Sequence, residues 1–201
     1  SIFLVAGLGG MNRRFQAERV LLTGVVLAAG WGALVGFLLA FSPEQALRGM
    51  LFWLMGDMAY AETPWLSLGV LFLGLALVWP WHRAIDLLTL GEGQAASLGV
   101  TVGALRLGLF VVAALLTALA VTTAGSVGFV GLVVPHALRL AGLRRHGLLL
   151  PGAVLGGGVL LLAADTLART LWAPRQIPVG VVTALVGVPL FLILMRRELR
   201  T

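Results

Sequence analysis

The stretch GSVGFVGLVVPHALRLAG, residues 125–142, decides how this chain is folded. It is apolar enough for a bilayer interior, yet it carries Gly125, Gly128, Gly131, Gly142, Pro135, His136 and Arg139. Glycine and proline both weaken a helix interior, so a poor helix is kept in an apolar setting. The rest of the chain explains that setting. Apolar residues make up 60% of its 201 residues and charged residues only 11%, with a mean hydropathy of +1.04. Soluble domains do not have this composition. The chain reads as an all-α integral membrane protein, a polytopic bundle of transmembrane helices, with residues 1–201 forming a single transmembrane domain.

Apolar runs of about 17 to 25 residues are long enough to span. They fall at 20–41, 65–81, 105–124 and 178–195, with a fifth at 148–171 that carries Asp165 and Arg169 near its far end. The opening run, 1–10, is too short to cross and has no basic region before it. It is expected to continue a longer chain, not to act as a signal peptide.

Arginine supplies all 14 basic residues. Positive charge stays on the cytoplasmic side. A cytoplasmic C-terminus puts Arg13, Arg14, Arg19, Arg83, Arg106, Arg139, Arg144, Arg145, Arg196, Arg197 and Arg200 inside, and only Arg48, Arg169 and Arg175 outside. That asymmetry requires one more crossing between Ala124 and Arg139. A helix over residues 125–138 would reach about 21 Å, against about 30 Å of hydrocarbon. A straight span falls short. A broken segment meets the demand, extended over the part with Gly125, Ser126, Gly128 and Gly131 and helical over 133–140 with Pro135 and His136. Non-helical backbone at membrane depth is tolerated only where protein buries it or it lines a water-filled cavity, so these residues are candidate pathway elements. The competing reading is a tightly packed Gly-rich helix contact.

Small residues recur at every fourth position in the first span, at Gly24, Ala28, Gly32, Gly36 and Ala40, and Gly180, Ala184 and Gly187 make a similar stripe in the last. Such stripes let helices approach closely. Trp65, Trp79, Trp81 and Trp172 stand at span ends, as interfacial aromatics do, whereas Trp31 sits mid-span and reads as packing. The outer connection, 42–64, predicts a short helix capped by Ser42, with Pro43 at its first position, Gln45 completing a capping box and Gly56 ending it. It lies at the interface or folds back into the pathway. In the inner connection, 82–103, Thr89 and Glu92 form a second capping box that opens a helix over 91–98, closed by Gly99. Ala95, Ala96 and Leu98 leave apolar surface there for a partner protein.

Several function classes fit poorly. The chain has no cysteine, hence no disulfide, thiolate metal site or cysteine nucleophile. His82 and His146 find no second ligand at metal-site spacing, so no metal site is expected. The arginines lie at the ends of apolar runs instead of on one polar face, which argues against nucleic acid. An intramembrane enzyme built on Ser126 and His136 lacks an orienting carboxylate. A secondary transporter needs buried ionisable groups for coupling. Asp165 is the one acidic residue well within a span, and its i,i+4 relation to Arg169 reads as a structural pair.

The blocks LLTLGEGQAASLGV (87–100), GSVGFVGLVVPHALRLAG (125–142), LLPGAVLGG (149–157), ADTLAR (164–169) and IPVGVVTALVGVPLFLILMRR (177–197) resemble, in order and spacing, the permease subunit of FecCD-type ABC importers. FWLMGDM (52–58) is similar to that family's outer loop. The resemblance implies a fold of ten helices, of which about six to seven, from the end of the fourth onward, would be present and the first three to four missing. It implies a second permease subunit in a homodimer, cytoplasmic ATPases that hold ATP and Mg, and a substrate-binding protein docking outside. Leu90, Gly91, Glu92, Ala95, Leu98 and Gly99 would form the ATPase-coupling helix, and Arg169 would meet acidic residues of the binding protein. The fifth and tenth helices would form the dimer contact around the pathway, and the opening stretch would be the short eighth element beside it. The expected setting is the bacterial inner membrane with membrane lipid around the bundle. Iron-siderophore is the favoured cargo, with haem and cobalamin close behind. The sequence holds no G-x-x-x-x-G-K-[ST] loop, so the chain is expected to bind no cofactor and to be no enzyme itself.

Overall fold

Backbone that lies in hydrocarbon must satisfy its own N–H and C=O groups, and helices do this within one segment. The computed structural model describes residues 16–58, 64–171 and 173–198. Arg13, Arg14, Arg200 and Trp172, used above to judge orientation and interface, lie outside them. In chain order the helices are α1 (Gln16–Ala40), α2 (Glu44–Leu54), α3 (Pro64–Val78), α4 (His82–Leu88), α5 (Glu92–Ser97), α6 (Val102–Ala124), α7 (Val130–Leu140), α8 (His146–Thr170) and α9 (Val179–Glu198). Among the described residues four stretches are long and apolar enough to cross a membrane: Leu22–Ala40, Pro64–Leu88, Val102–Ala124 and His146–Thr170. These fall on four of the five expected spans; α9, with 20 residues, falls on the other, 178–195, but its apolar part, Val179–Ile193, is shorter than the four.

The chain divides into two units, residues 1–51 and 52–201. In the first, an added Cβ at Gly24, Gly32 or Gly36 would meet nothing. The small-residue stripe of α1 is thus unused within that unit, and Trp31, expected to be packed, is half exposed. The capping box expected at Ser42 does not form. Its hydroxyl donates back to the Leu38 carbonyl at 2.8 Å, closing α1, and the Pro43 carbonyl takes the first bonds of α2 from Ala46 and Leu47.

In the second unit, α3 packs on α6, and α7, α8 and α9 pack on one another. The expected span ending at Trp81 runs on. Pro80 cannot donate a backbone hydrogen bond, and a 3-10 turn over Trp79–Trp81 leads straight into α4, so the inner connection starts after Leu88. The buried core is made of small residues: Ala164 and Ala168 of α8 against Val179 and Val182 of α9, flanked by Met58, Val127 and Ile177. Larger side chains point outward, as at Leu155, Leu162 and Leu185. In a bilayer, lipid is as good a solvent for leucine as a neighbouring helix, and close contact through small residues becomes the stabilising term.

Candidate functional site

The broken segment starts where three glycines meet backbone to backbone. Gly125 ends α6 with φ +69, and the Asp57 N–H donates to the Ala124 carbonyl at 3.0 Å. A Cβ on Gly125 would run into the Trp53 carbonyl, and one on Gly180 into that of Met55. Gly56, at φ +88, would bring a Cβ within 2.9 Å of the Ser126 carbonyl. Residues 125–129 are non-helical, and α7 begins at Val130, three residues before the expected 133. The turn is made by Phe129, which adopts the left-handed conformation at φ 68, the only non-glycine to do so among the described residues. That conformation costs a non-glycine residue roughly 1–2 kcal/mol. Packing holds it, because the Phe129 side chain fills the space left by the missing Cβ of Gly187.

The 11-residue helix rises about 16 Å, about half the hydrocarbon thickness, and the five non-helical residues before it turn at Phe129. The close-contact reading fits some of these glycines and not others. Gly125, with Gly180 and Gly187 on the last span, is a close-contact glycine, whereas Gly128 and Gly131 are exposed and an added Cβ there meets nothing. Pro135 cannot donate to the Gly131 carbonyl, which loosens the middle of α7. His136 sits edge-on to Phe191 with ring centroids 6.3 Å apart. Beside the segment, α7, α8 and α9 enclose an apolar cavity of about 230 Å³ walled by Phe129, Val133, Leu160, Leu167 and Val186.

At the other end of the unit, α5 is held between two glycines with positive φ, Gly91 at +110 and Gly99 at +86. The expected Thr89–Glu92 capping box is absent. The Thr89 hydroxyl donates to the Asp86 carbonyl at 2.7 Å, and Glu92 pairs with Arg106 of α6 at 2.5 Å. Termination is as expected: Gly99 N–H donates to the Ala96 carbonyl and Val100 N–H to that of Ala95, a Schellman-type ending. Of the residues assigned to apolar surface, Ala95 is instead fully buried, whereas Ala96 is exposed and Leu98 is 61% exposed; Leu90, just before the helix, is 57% exposed. Six residues make under two turns, so only one side chain can face inward, and here it is Ala95.

Arg169 donates through Nε to Asp165 Oδ2 at 2.8 Å, the i,i+4 pair the spacing suggested. One contact escaped the sequence reading. Asp86 of α4 accepts the backbone N–H of His146 at 2.9 Å and meets its ring Nδ1 at 2.6 Å, capping α8 from 60 residues away. The signal available was an acidic residue before the inner loop and a histidine at a helix start, and nothing local pairs them.

Residues 1–197 match the FecCD transport family. The chain is 45% identical over 191 residues to the hemin transport system permease protein HmuU of Yersinia pestis, covering 91% of this chain and 56% of that protein. It is 36% identical over 193 residues to the vitamin B12 import system permease protein BtuC of Salmonella typhimurium, covering 94% and 58%. It thus spans little more than half the length of the curated relatives it matches. A solved structure of a transporter assigned to the metal-chelate ABC type, in an inward-facing conformation, superposes with a TM-score of 0.81 at 32% identity, covering 98% of this chain and 62% of that one. On the match through residues 1–197, the chain belongs to the FecCD transport family.

Proposed function

We propose that these residues belong to the membrane-spanning subunit of an ABC importer that moves a large metal chelate, of the haem or cobalamin class, across the bacterial inner membrane. The observation that carries the proposal is the family match over residues 1–197; the names of the relatives, hemin and vitamin B12 permeases, support the cargo class. The fit of the geometry supports it. Cargo of that size passes a wall that binds weakly, and the exposed Gly128 and Gly131 leave such a wall open beside the apolar cavity.

ATP and Mg would be held by a partner ATPase, and α5 is the piece of this chain that would meet it. The exposed Leu90 and Leu98 present an apolar knob at each end of the helix. The Glu92–Arg106 pair and the buried Ala95 tie the helix to its neighbours, so force on the knob would move α6. Arg169 would meet an acidic group of the binding protein outside, sharing its guanidinium with Asp165. The unused stripe at Gly24, Ala28, Gly32 and Gly36 would face a second copy of the subunit.

The test is co-purification from cells expressing the full-length gene. The parent protein should retain a cytoplasmic ATPase in detergent, and Leu98→Asp should lose it while eluting as a folded protein. Glu92→Arg is a weaker probe, since it also opposes Arg106. A parent that retains no ATPase under any condition would sink the importer reading.

A further inference from the structure

The arginine-rich end of the second unit holds a cleft apart from the broken segment and from the exposed side of α5. Its volume is about 540 Å³, and Trp79, His82, Arg83, Asp86, Arg145 and Leu148 line it. One wall is the 3-10 turn with α4, and the other is the start of α8. Arg83 and Arg145 are exposed, and among the described residues neither forms an ion pair. The carboxylate in the cleft, Asp86, already accepts two hydrogen bonds from His146. The His82 ring Nδ1 is bonded to the Trp79 carbonyl at 2.7 Å, and Gly147 lets that ring lie close against α8, where a Cβ would come within 3.2 Å of it. Two guanidinium groups therefore face one engaged carboxylate, beside the positive end of a 25-residue helix. That balance suits a monovalent anion.

The walls say what kind. Leu148 is 64% exposed at the mouth of the cleft, and Leu155, Val159 and Leu162, exposed by 69–72%, continue the same face along α8. Their spacing of 7, 4 and 3 residues keeps them on one stripe. Trp79 ends the apolar run of α3 at the depth where interfacial aromatics sit. A free anion has no use for an apolar stripe that begins at its seat, whereas a phospholipid fits both parts.

We propose that this cleft seats the phosphate of an anionic phospholipid, held by Arg83 and Arg145, with its acyl chains along the exposed face of α8. The site depends on the chain's crossing a membrane and not on the cargo or the ATPase. Basic pockets between helices at the cytoplasmic side are where such headgroups bind.

Native mass spectrometry of the detergent-purified full-length protein tests it, with phosphatidylglycerol and phosphatidylcholine offered in turn. Phosphatidylglycerol should be retained in preference to phosphatidylcholine, with affinity about fivefold lower for Arg83→Gln or Arg145→Gln and lower again for the pair. Arg139→Gln, at the exposed end of α7 and outside the cleft, should leave retention unchanged. Arg145 is exposed in the loop before α8, so its single variant still decides the matter if the double variant does not fold. Equal retention of both lipids, no loss in the Arg145 variant, or an equal loss in the Arg139 variant would overturn the site. Displacement of the lipid by millimolar inorganic phosphate would make it a free-anion site instead. Loss of the ATPase with lipid retention intact would make it a protein contact. Either outcome defeats the proposal.

Discussion

Gly125 and Gly128 sit three residues apart and look equivalent in the sequence, yet they do different things. Gly125 combines a left-handed φ of +69 with a backbone wall at Trp53, whereas Gly128 has open space where its side chain would be. Gly125→Ala should therefore destabilise the full-length protein by more than about 2 kcal/mol, since it adds strain and a backbone collision. Gly128→Ala should stay within about 0.5 kcal/mol. Thermal unfolding of the two variants in detergent decides this; equal effects would mean that residues 125–129 are not held as described. The sequence could show that this stretch had to break, because its length fell short of a bilayer. It could not show which glycine held the break, because the collision at Gly125 comes from Trp53, 72 residues earlier in the chain.

Both predicted capping boxes failed in the same way, although both helices formed. Ser42 and Thr89 bond back to carbonyls three or four residues before them, an option always open to a hydroxyl at the end of a preceding helix. The motif describes a helix start in isolation. Here a helix end lies directly ahead of it and takes the hydroxyl. The position of α5 and its closing glycine were legible, but which of its side chains faced inward was not, since a helix this short has no apolar period to read. Ala95→Leu should cost about 1–3 kcal/mol by overpacking a fully buried site, whereas Leu98→Asp should leave the unfolding temperature unchanged while removing the ATPase. The Asp86–His146 contact belongs at this scale too, because it ties α4, which packs against α5, to the start of α8. A double-mutant cycle of Asp86→Asn and His146→Ala should return a coupling of about 1 kcal/mol. Strictly additive effects would reduce the contact to coincidence.

The arginine asymmetry makes a prediction about the whole molecule that can be checked without knowing the cargo. Arg144 precedes α8 and Arg175 follows it; both are exposed, and the 25 residues between His146 and Thr170 rise about 37 Å, more than the hydrocarbon thickness. A spanning α8 puts the two positions on opposite sides. Asp86 joins the start of α8 to α4, so α4 and α5 share the side of Arg144, while the Asp57–Ala124 bond puts residue 57 at the far end of α6 from α5. The positive-inside rule assigns Arg144 to the cytoplasm. Because these 201 residues contain no cysteine, Arg144→Cys and Arg175→Cys can be placed singly in a full-length background cleared of any others. In intact spheroplasts a membrane-impermeant maleimide should label Arg175→Cys and spare Arg144→Cys, and permeabilised cells should label both. The reversed pattern would turn α5 away from the cytoplasm, beyond reach of any ATPase there, and the importer proposal would fall with it. Labelling of both from outside would mean that α8 does not span, and the membrane topology derived from the arginines would have to be abandoned.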